Sequence, residues 1–389
     1  MARIVDIIER TIQVSSSMRN ADIGFDEMTA TALVVVSDVM RQGKPVVGLA
    51  FDSIGRYAHG FLVNERMGPR LLSADPSLYA CADGPGIDPL RAWSVMMRNE
   101  KAGGHGERAG AVGLLDAALW DLQAKLLDQP LWKMLCDRFP GASQPDRVTV
   151  YASGGHYQAG EAPQRLRDEL CAYQDLGYHH FKIKAGGASG GIDQTRIEAA
   201  LSALTAGQTL AVDFNAGLQS QTADAAIEGL AGYGLAWIEE PVDPLDYRLL
   251  AQLRARHPMP MSTGENLFSL ADVRNLLRHG GLDSTRDFIN VDISLSYGIP
   301  EYLRILDLAA QAGWARRAFV PHAGHLFALH VVGGLGLGGH ETAPSHPLLG
   351  GFPAGSTLAD GMLCLPDAPG VGFEAHAGLC KVFEPMLRP

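Results

Sequence analysis

Six ionisable residues recur at nearly even steps through the second part of the chain, and each one follows a short apolar run. Consecutive members are 26 to 30 residues apart, and the set is Lys184, Asp213, Glu239, Glu265, Asp292 and His322. Short apolar runs alternating with amphipathic segments predict βα units and a parallel sheet. If the units close into a barrel, all six side chains meet at the carboxyl ends of the strands, where barrel active sites are built.

Three members of this series are carboxylates, and they supply oxygen ligands without sulfur or imidazole. Such a set suits Mg²⁺ or Mn²⁺ rather than Zn²⁺. Any one of Asp213, Glu239 and Glu265, taken alone, is equally well explained as a helix cap or an ion-pair partner. Together they would repel one another and raise a pKa unless a cation balanced their charge. The trio therefore predicts a divalent metal site.

Proton-transfer groups stand on either side of the trio in the series. Lys182 and Lys184 alternate along one strand, so both point to the same face. A buried Lys184 beside a second ammonium and a metal is expected to have a lowered pKa, which suits a general base. Asp292 is expected to orient His322 and fix its tautomer. His325 and His330, which have no place in the series, are interpreted as helix residues.

The elements that position these residues fall into three stretches, with expected bounds 1–140, 147–370 and 371–389. The first has strand-like runs and then a helical pattern at 107–127, which is typical of a separate α+β domain. The second has at least seven βα units, which favours a closed barrel of the TIM type over an open sheet. The last stretch has no partner in this rhythm and is expected to return to the first domain.

Composition excludes several classes of protein. The 389 residues carry a net charge of −11 without a basic run, which argues against a nucleic-acid surface. No apolar run reaches the ~20 residues of a membrane span, and no secretory signal is recognisable at the start. The five cysteines are dispersed and form no CxxC pair. This pattern favours reduced thiols and a cytoplasmic enzyme.

These residues together resemble the enolase superfamily, mandelate racemase subgroup. The shared motifs are K-x-K (Lys182, Lys184), D-x-N (Asp213, Asn215), E-E-P (239–241), G-E-N (264–266), Asp292 and His322. The resemblance implies a capping α+β domain, a (β/α)₇β barrel, and one Mg²⁺ held by Asp213, Glu239 and Glu265. It also implies that Lys184 faces the His322–Asp292 pair across the substrate, and that Glu341 hydrogen-bonds the substrate carboxylate. The segment Tyr297-Gly298-Ile299 departs from the family, which usually has a Gly pair there.

Within the subgroup the chain resembles the acid-sugar dehydratases, and most of all the D-tartrate dehydratases. That likeness implies a small-molecule carboxylate substrate, dehydration of D-tartrate to oxaloacetate, and a homo-oligomer. It further implies that two N-terminal loops, around Asn20 and around Gly55, Arg56 and Tyr57, cover the barrel mouth. Lys101, Lys182 and Asn215 complete the expected substrate-binding set.

Other functions remain open at this point. Racemisation or epimerisation of a 2-hydroxy acid would use the same lysine and histidine. A serine hydrolase would use Ser189 of a G-x-S-x-G pattern, although that serine does not stand directly at a strand end. The G-x-G-x-x-G match at 334–339 precedes two prolines and is better explained by close packing than by dinucleotide binding. A Schiff-base aldolase using Lys184 and a non-catalytic barrel are the remaining alternatives.

Overall fold

The computed structural model of the protein describes residues 2–14, 16–52, 58–82, 86–140, 144, 146–158, 162–188 and 190–387. Gly55, Arg56, Tyr57 and Ser189 lie outside the described residues. Within the described part of the chain, no helix is both long and apolar enough to cross a bilayer.

The N-terminal part is a three-stranded antiparallel sheet backed by helices. Its elements are β1 (Ile4–Gln13), β2 (Thr29–Arg41), β3 (Lys44–Phe51), α1 (His59–Leu62), α2 (Gly68–Leu72), α3 (Pro89–Met96), α4 (Glu107–Leu126) and α5 (Leu131–Arg138). Helix α4 is apolar on nearly all sides and is buried along almost its whole length, as expected of a helix between two layers. Gly48 lets α4 touch β3, since a Cβ atom there would lie 2.0 Å from the carbonyl oxygen of Ala118.

The second part is the barrel. Its strands are β4 (Arg147–Gly154), β5 (His180–Lys184), β6 (Thr209–Asp213), β7 (Ile238–Glu239), β8 (Met261–Thr263), β9 (Phe288–Ile289) and β10 (His340–Thr342). The helices between them are α6 (Pro163–Asp175), α7 (Gly190–Ala203), α8 (Ala223–Glu228), α9 (Tyr247–Arg256), α10 (Leu270–His279), α11 (Ile299–Gln311) and α12 (Leu326–Leu335). Strands β4 to β9 pair in parallel in chain order.

The ring closes where the first and last strands meet. Strand β10 pairs in parallel with β4, with Glu341 opposite Tyr151. The remaining gap is bridged by the run before His322: Phe319 forms a parallel bridge with Ile289, and its carbonyl accepts from Gly338 N at 2.8 Å. That run makes an isolated bridge rather than a full strand. The expected fold, a barrel with an N-terminal α+β cap, is confirmed.

The C-terminal residues contact both parts. An antiparallel pair, β11 (Thr357–Ala359) and β12 (Met362–Cys364), adds to the first half of β4. Val371 N then donates to Asp121 of α4 at 2.7 Å, and α13 (Leu379–Phe383) contacts β2. The expected domain bounds themselves stay a prediction.

The cap meets the barrel at the loop after β9. A Cβ atom on Gly113 of α4 would lie 1.8 Å from the carbonyl oxygen of Ser294, so only glycine allows this approach. In the same loop the carbonyl of Tyr297 accepts from Trp93 Nε1 at 2.8 Å, and its hydroxyl accepts from Arg108 Nε at 2.9 Å. The segment that departs from the family pattern is therefore a docking point for the cap.

Candidate active site and metal centre

The three carboxylates converge at the barrel mouth. Lys184 pairs in register with Asp213, and Asp213 with Glu239, so these residues form one row across β5, β6 and β7. One oxygen from each of Asp213, Glu239 and Glu265 lies within 4.8 Å of the others. All three side chains are buried, and Glu265 Oε2 has no hydrogen-bond partner within the described residues. A buried oxygen without a donor, beside two further carboxylates, fits a divalent cation.

Neighbouring groups hold the carboxylates in place. Asn215 N donates to Asp213 at 2.9 Å, and Trp237 Nε1 donates to Glu239 at 2.8 Å. Burial, together with Asp213, Glu341 and Glu265, raises the pKa of Glu239 to about 7 although Lys182 opposes the shift. This is the mutual repulsion that the sequence predicted for the trio.

Both lysines of the K-x-K motif point into this cluster. Lys182 is fully buried and contacts Glu239, and its Nζ lies 3.0 Å from Glu341 and 3.6 Å from Asp213. Lys184 Nζ lies 2.5 Å from Asp213. Burial and the charge of Lys182 lower the pKa of Lys184, but Asp213, Glu265 and Glu341 outweigh them, so that pKa is raised overall. The expected lowering of this pKa presupposes a cation at the trio, so it stays a prediction; without that cation the carboxylates outweigh the second ammonium around Lys184.

His322 lies on the other side of the trio. Its Nδ1 is 3.3 Å from Asp292 Oδ2, and its Nε2 is 3.7 Å from Glu265. Burial lowers the pKa of His322, but Glu265, Asp292 and Glu341 raise it to about 9. The raised pKa favours the protonated ring, which can donate a proton.

Glu341 lies in β10, the last strand of the barrel, and is a further charged group at the site. Ala323 N donates to its Oε2 at 3.2 Å, and Lys182 holds its other oxygen. Burial alone would raise the pKa of Glu341, but Lys182, His322 and Lys184 lower it well below the usual range. Glu341 is therefore an anion placed beside both proton carriers.

A cavity of about 330 Å³ opens over these residues and under the loop that follows β1. Of the expected site residues, its lining includes Lys184, His322, Glu265, Asn215, Glu341 and Asn20. The carboxamide oxygen of Asn20 accepts from Asp22 N and Ile23 N, at 2.9 and 2.8 Å, and so shapes the covering loop. Among the described residues, the cavity is lined neither by Lys182, which is fully buried, nor by Lys101, which is exposed.

Comparison with known proteins agrees with this geometry. Residues 165–378, more than half of the chain, match the family model described as enolase C-terminal domain-like. The chain belongs to the enolase superfamily. The family resemblance drawn from the motifs is thereby confirmed, whereas the D-tartrate dehydratase likeness is not.

Several enolase-superfamily proteins are similar over most of the chain. The L-talarate/galactarate dehydratase of Salmonella typhimurium (strain LT2) is 29% identical over 355 residues, which cover 89% of this chain and 81% of that protein. The L-talarate dehydratase of Polaromonas sp. JS666, solved with Mg and L-glucarate, is 27% identical with a TM-score of 0.73. The match covers 96% of this chain and 94% of the Polaromonas enzyme. A racemase from Streptomyces coelicolor A3(2) with bound magnesium shares the fold. It is 23% identical with a TM-score of 0.77, and the match covers 95% of this chain and 96% of the racemase.

The structure also shows site residues that the sequence analysis missed. Ser153 and His156, at the end of β4, line the cavity, as does His346 beyond β10. His325 was interpreted as a helix residue, yet it caps the start of α12 and its Nε2 lies 3.4 Å from Asp292. The series of strand ends, extended one unit earlier to β4, would have found Ser153; the histidines depend on loop packing.

Glu240 is a further missed group. It is fully buried and accepts from Asn266 Nδ2 at 2.8 Å and from Gly264 N at 3.3 Å, on either side of the candidate ligand Glu265. The second acid of this enolase-superfamily E-E-P motif therefore ties the end of β7 to the turn after β8.

Proposed function

We propose that this protein is a hydro-lyase that dehydrates a hydroxy diacid or acid sugar with the help of Mg²⁺. The observation that supports this most strongly is the placing of Lys184 and the His322–Asp292 pair on opposite sides of the carboxylate trio, around one cavity. The similar Salmonella and Polaromonas enzymes are named as acid-sugar dehydratases. The proposed dehydration therefore agrees with the activity for which these similar enzymes are named.

Asp213, Glu239 and Glu265 would hold the cation. A divalent ion bound there supplies a Lewis acid for the substrate carboxylate and positive charge against the three carboxylates. With those charges offset, burial and the Lys182 ammonium would lower the pKa of Lys184, and the more distant Glu341 would be left to oppose them. Lys184 would then carry a free amine, as a general base requires.

The reaction proceeds in two proton transfers. Lys184 Nζ takes the proton from C2, and the electron pair of the broken C–H bond moves into the substrate carboxylate. The pair then forms the C2–C3 double bond as the C3–O bond breaks, and His322 protonates the departing hydroxyl to give water. The resulting enol tautomerises to a 2-keto acid. Each positioned proton carrier contributes about 10²–10⁴-fold to the rate.

We propose D-tartrate as the substrate, with oxaloacetate as the product. A four-carbon diacid fits within a cavity of about 330 Å³, and Asn20 in the covering loop lies on its wall. Six-carbon diacids such as galactarate are the nearest rivals, because the similar Salmonella enzyme is named for them.

Racemisation or epimerisation is the alternative. It is favoured by one observation: Lys184 and His322 line the same cavity, one beside Asp213 and the other beside Glu265. Each could therefore exchange a proton with the substrate from its own position. Dehydration differs in that the C3–O bond must break.

A screen of tartrate isomers, galactarate, glucarate and four-carbon aldonates with Mg²⁺ tests the proposal. Formation of a 2-keto acid from a diacid is the expected result. Inversion at C2 without keto-acid formation would support the racemase instead. Turnover limited to long aldonates would rule out tartrate while leaving dehydration intact.

A further inference from the structure

His346 has a fixed ring orientation in the loop that follows β10. It is 4% exposed, and its Nδ1 accepts from Leu348 N at 3.1 Å and from Leu349 N at 3.0 Å. An Nδ1 atom that accepts two backbone hydrogen bonds carries no proton, so the neutral ring has its proton on Nε2.

The other end of the ring is a donor with nothing to bind. Nε2 is buried and has no hydrogen-bond partner within the described residues, while the ring lines the same cavity as Lys184 and His322. Buried donors are nearly always satisfied, and leaving one unpaired is costly. The cavity is therefore the place where a ligand oxygen would satisfy this donor.

The position of His346 in the barrel says which part of a ligand it would meet. Glu341 of β10 is bridged to the trio by Lys182, which contacts both Glu239 and Glu341. His346 lies five residues further along the chain and, among the described residues, makes no hydrogen bond or ion pair with the trio or with Glu341. With the reacting carboxylate at the trio, as proposed, His346 would meet an oxygen beyond that carboxylate.

The imidazole ring of His156 is also buried beside this cavity. His156 follows β4, lines the cavity and packs edge-on against Phe25 at 5.5 Å. Burial lowers the pKa of His346 to about 4, and burial with the charge of Lys184 lowers the pKa of His156 to about 3. At neutral pH this side of the cavity offers uncharged imidazoles rather than cations.

We infer that His346 Nε2–H is a substrate-binding donor that hydrogen-bonds an oxygen at the far end of a polyhydroxy acid. The inference rests on the proposed function for the direction in which the substrate lies. The oxygen belongs either to a hydroxyl or to a second carboxylate, and both accept a hydrogen bond from a neutral imidazole.

Two substitutions separate the donor from the backbone contacts. His346→Asn keeps an acceptor near Nδ1 for Leu348 N and Leu349 N but removes the donor. His346→Gln keeps an amide N–H near Nε2. His376→Asn is the matched control, because Nδ1 of His376 accepts from Gly378 N and Leu379 N, each at 3.2 Å, and this ring does not line the cavity.

Titration calorimetry with Mg²⁺ measures binding of D-tartrate, D-threonate and 2-hydroxybutanoate, and steady-state kinetics run alongside. His346→Asn should bind D-tartrate about 10- to 100-fold more weakly, as for one lost hydrogen bond to an oxygen ligand. It should bind 2-hydroxybutanoate, which has no far oxygen, as wild type does. His346→Gln should recover part of the loss, and His376→Asn should match wild type.

Weakened binding of D-tartrate alone assigns the oxygen to a carboxylate, and weakened binding of D-threonate as well assigns it to a hydroxyl. Equal affinity of wild type and His346→Asn for both ligands overturns the inference, even if turnover is normal. A wild type that binds D-tartrate through His346 but forms no keto acid overturns the proposed function instead. A wild type that binds none of these acids overturns both.

Discussion

His322 Nδ1 lies 3.3 Å from Asp292 Oδ2, and that carboxylate is fully buried. The second oxygen of Asp292 accepts from Leu295 N at 3.0 Å and lies 3.4 Å from His325 Nε2. Both oxygens are thus engaged, which fixes the carboxylate and orients the His322 ring toward the cavity. Burial would raise the pKa of Asp292, but the two histidines lower it well below the usual range.

Asp292→Asn should lower kcat for dehydration by about 10- to 100-fold, the usual cost of losing an orienting carboxylate behind a functional histidine. The amide oxygen still accepts from Leu295 N, so the fold should be retained. Steady-state kinetics and circular dichroism check both points. Asp307→Asn, an exposed change on α11, is the control, and an unchanged kcat in Asp292→Asn would show that the pair does not act together.

Lys184→Ala should abolish keto-acid formation and also the exchange of the C2 proton with deuterium, with a loss of at least about 10²-fold. His322→Asn should stop dehydration but leave exchange at C2, because Lys184 still removes that proton. Proton NMR in D₂O follows exchange, and a keto-acid assay follows turnover. Full exchange in Lys184→Ala would assign the base role to another group.

Removal of Mg²⁺ with a chelator should abolish activity, and Mg²⁺ should restore it. At about 100 times its Kd, a ligand of the folded state adds roughly 2.7 kcal/mol of stability, so the Tm of wild type should rise with Mg²⁺. Glu265→Gln removes one ligand charge and should shrink that rise while the apo-protein stays folded. A Tm that is independent of Mg²⁺ in wild type would contradict the metal site.

His59 is a buried ion-pair centre in the cap, with Nδ1 2.8 Å from Asp52 and Nε2 3.2 Å from Glu107. Burial lowers the pKa of His59, but the two carboxylates raise it to about 9, against about 6.5 in the unfolded chain. A raised pKa means that the folded state binds the proton more tightly. The stabilisation is therefore complete below about pH 6.5 and is lost as the pH rises through about 9.

The free energy of unfolding should consequently fall across this range, by at most about 1.4 kcal/mol per pH unit for one proton. Urea denaturation at several pH values measures it. His59→Gln should flatten the dependence, and His279→Gln, at an exposed position, should keep it. An equal slope in wild type and His59→Gln would show that His59 does not hold its proton in this way.

Much of the site was predictable because the barrel repeats. One βα unit takes nearly the same number of residues each time, so a charged residue after each apolar run arrives at the same edge of the sheet. Asp213, Glu239 and Glu265 converge for that reason. The tartrate substrate, the domain bounds and the homo-oligomer stay predictions.

The features of the site that the sequence did not predict depend on distances between side chains. The spacing of residues gave the neighbours of Lys184 but not that Asp213 lies 2.5 Å away, so the raised pKa of Lys184 in the absence of a cation was not predicted. Lys101 was expected at the barrel mouth, yet it is exposed and does not line the cavity of the described residues. His346 was overlooked, and the contact of His325 with Asp292 was not predicted, because loops set the orientation of these rings and no period in the sequence marks a loop.

The sequence by itself determined the repeating βα units and the convergence of the carboxylate trio, since periodicity and strand alternation follow from backbone geometry alone. The roles of Lys184 and His322 as proton carriers stay predictions. Only the tertiary structure decided which ring nitrogens carry protons, how the cap docks at Ser294, and which side chains reach the cavity. Those features arise from contacts between residues far apart in the chain, whose strength depends on distance and burial, and neither quantity is contained in the order of the residues.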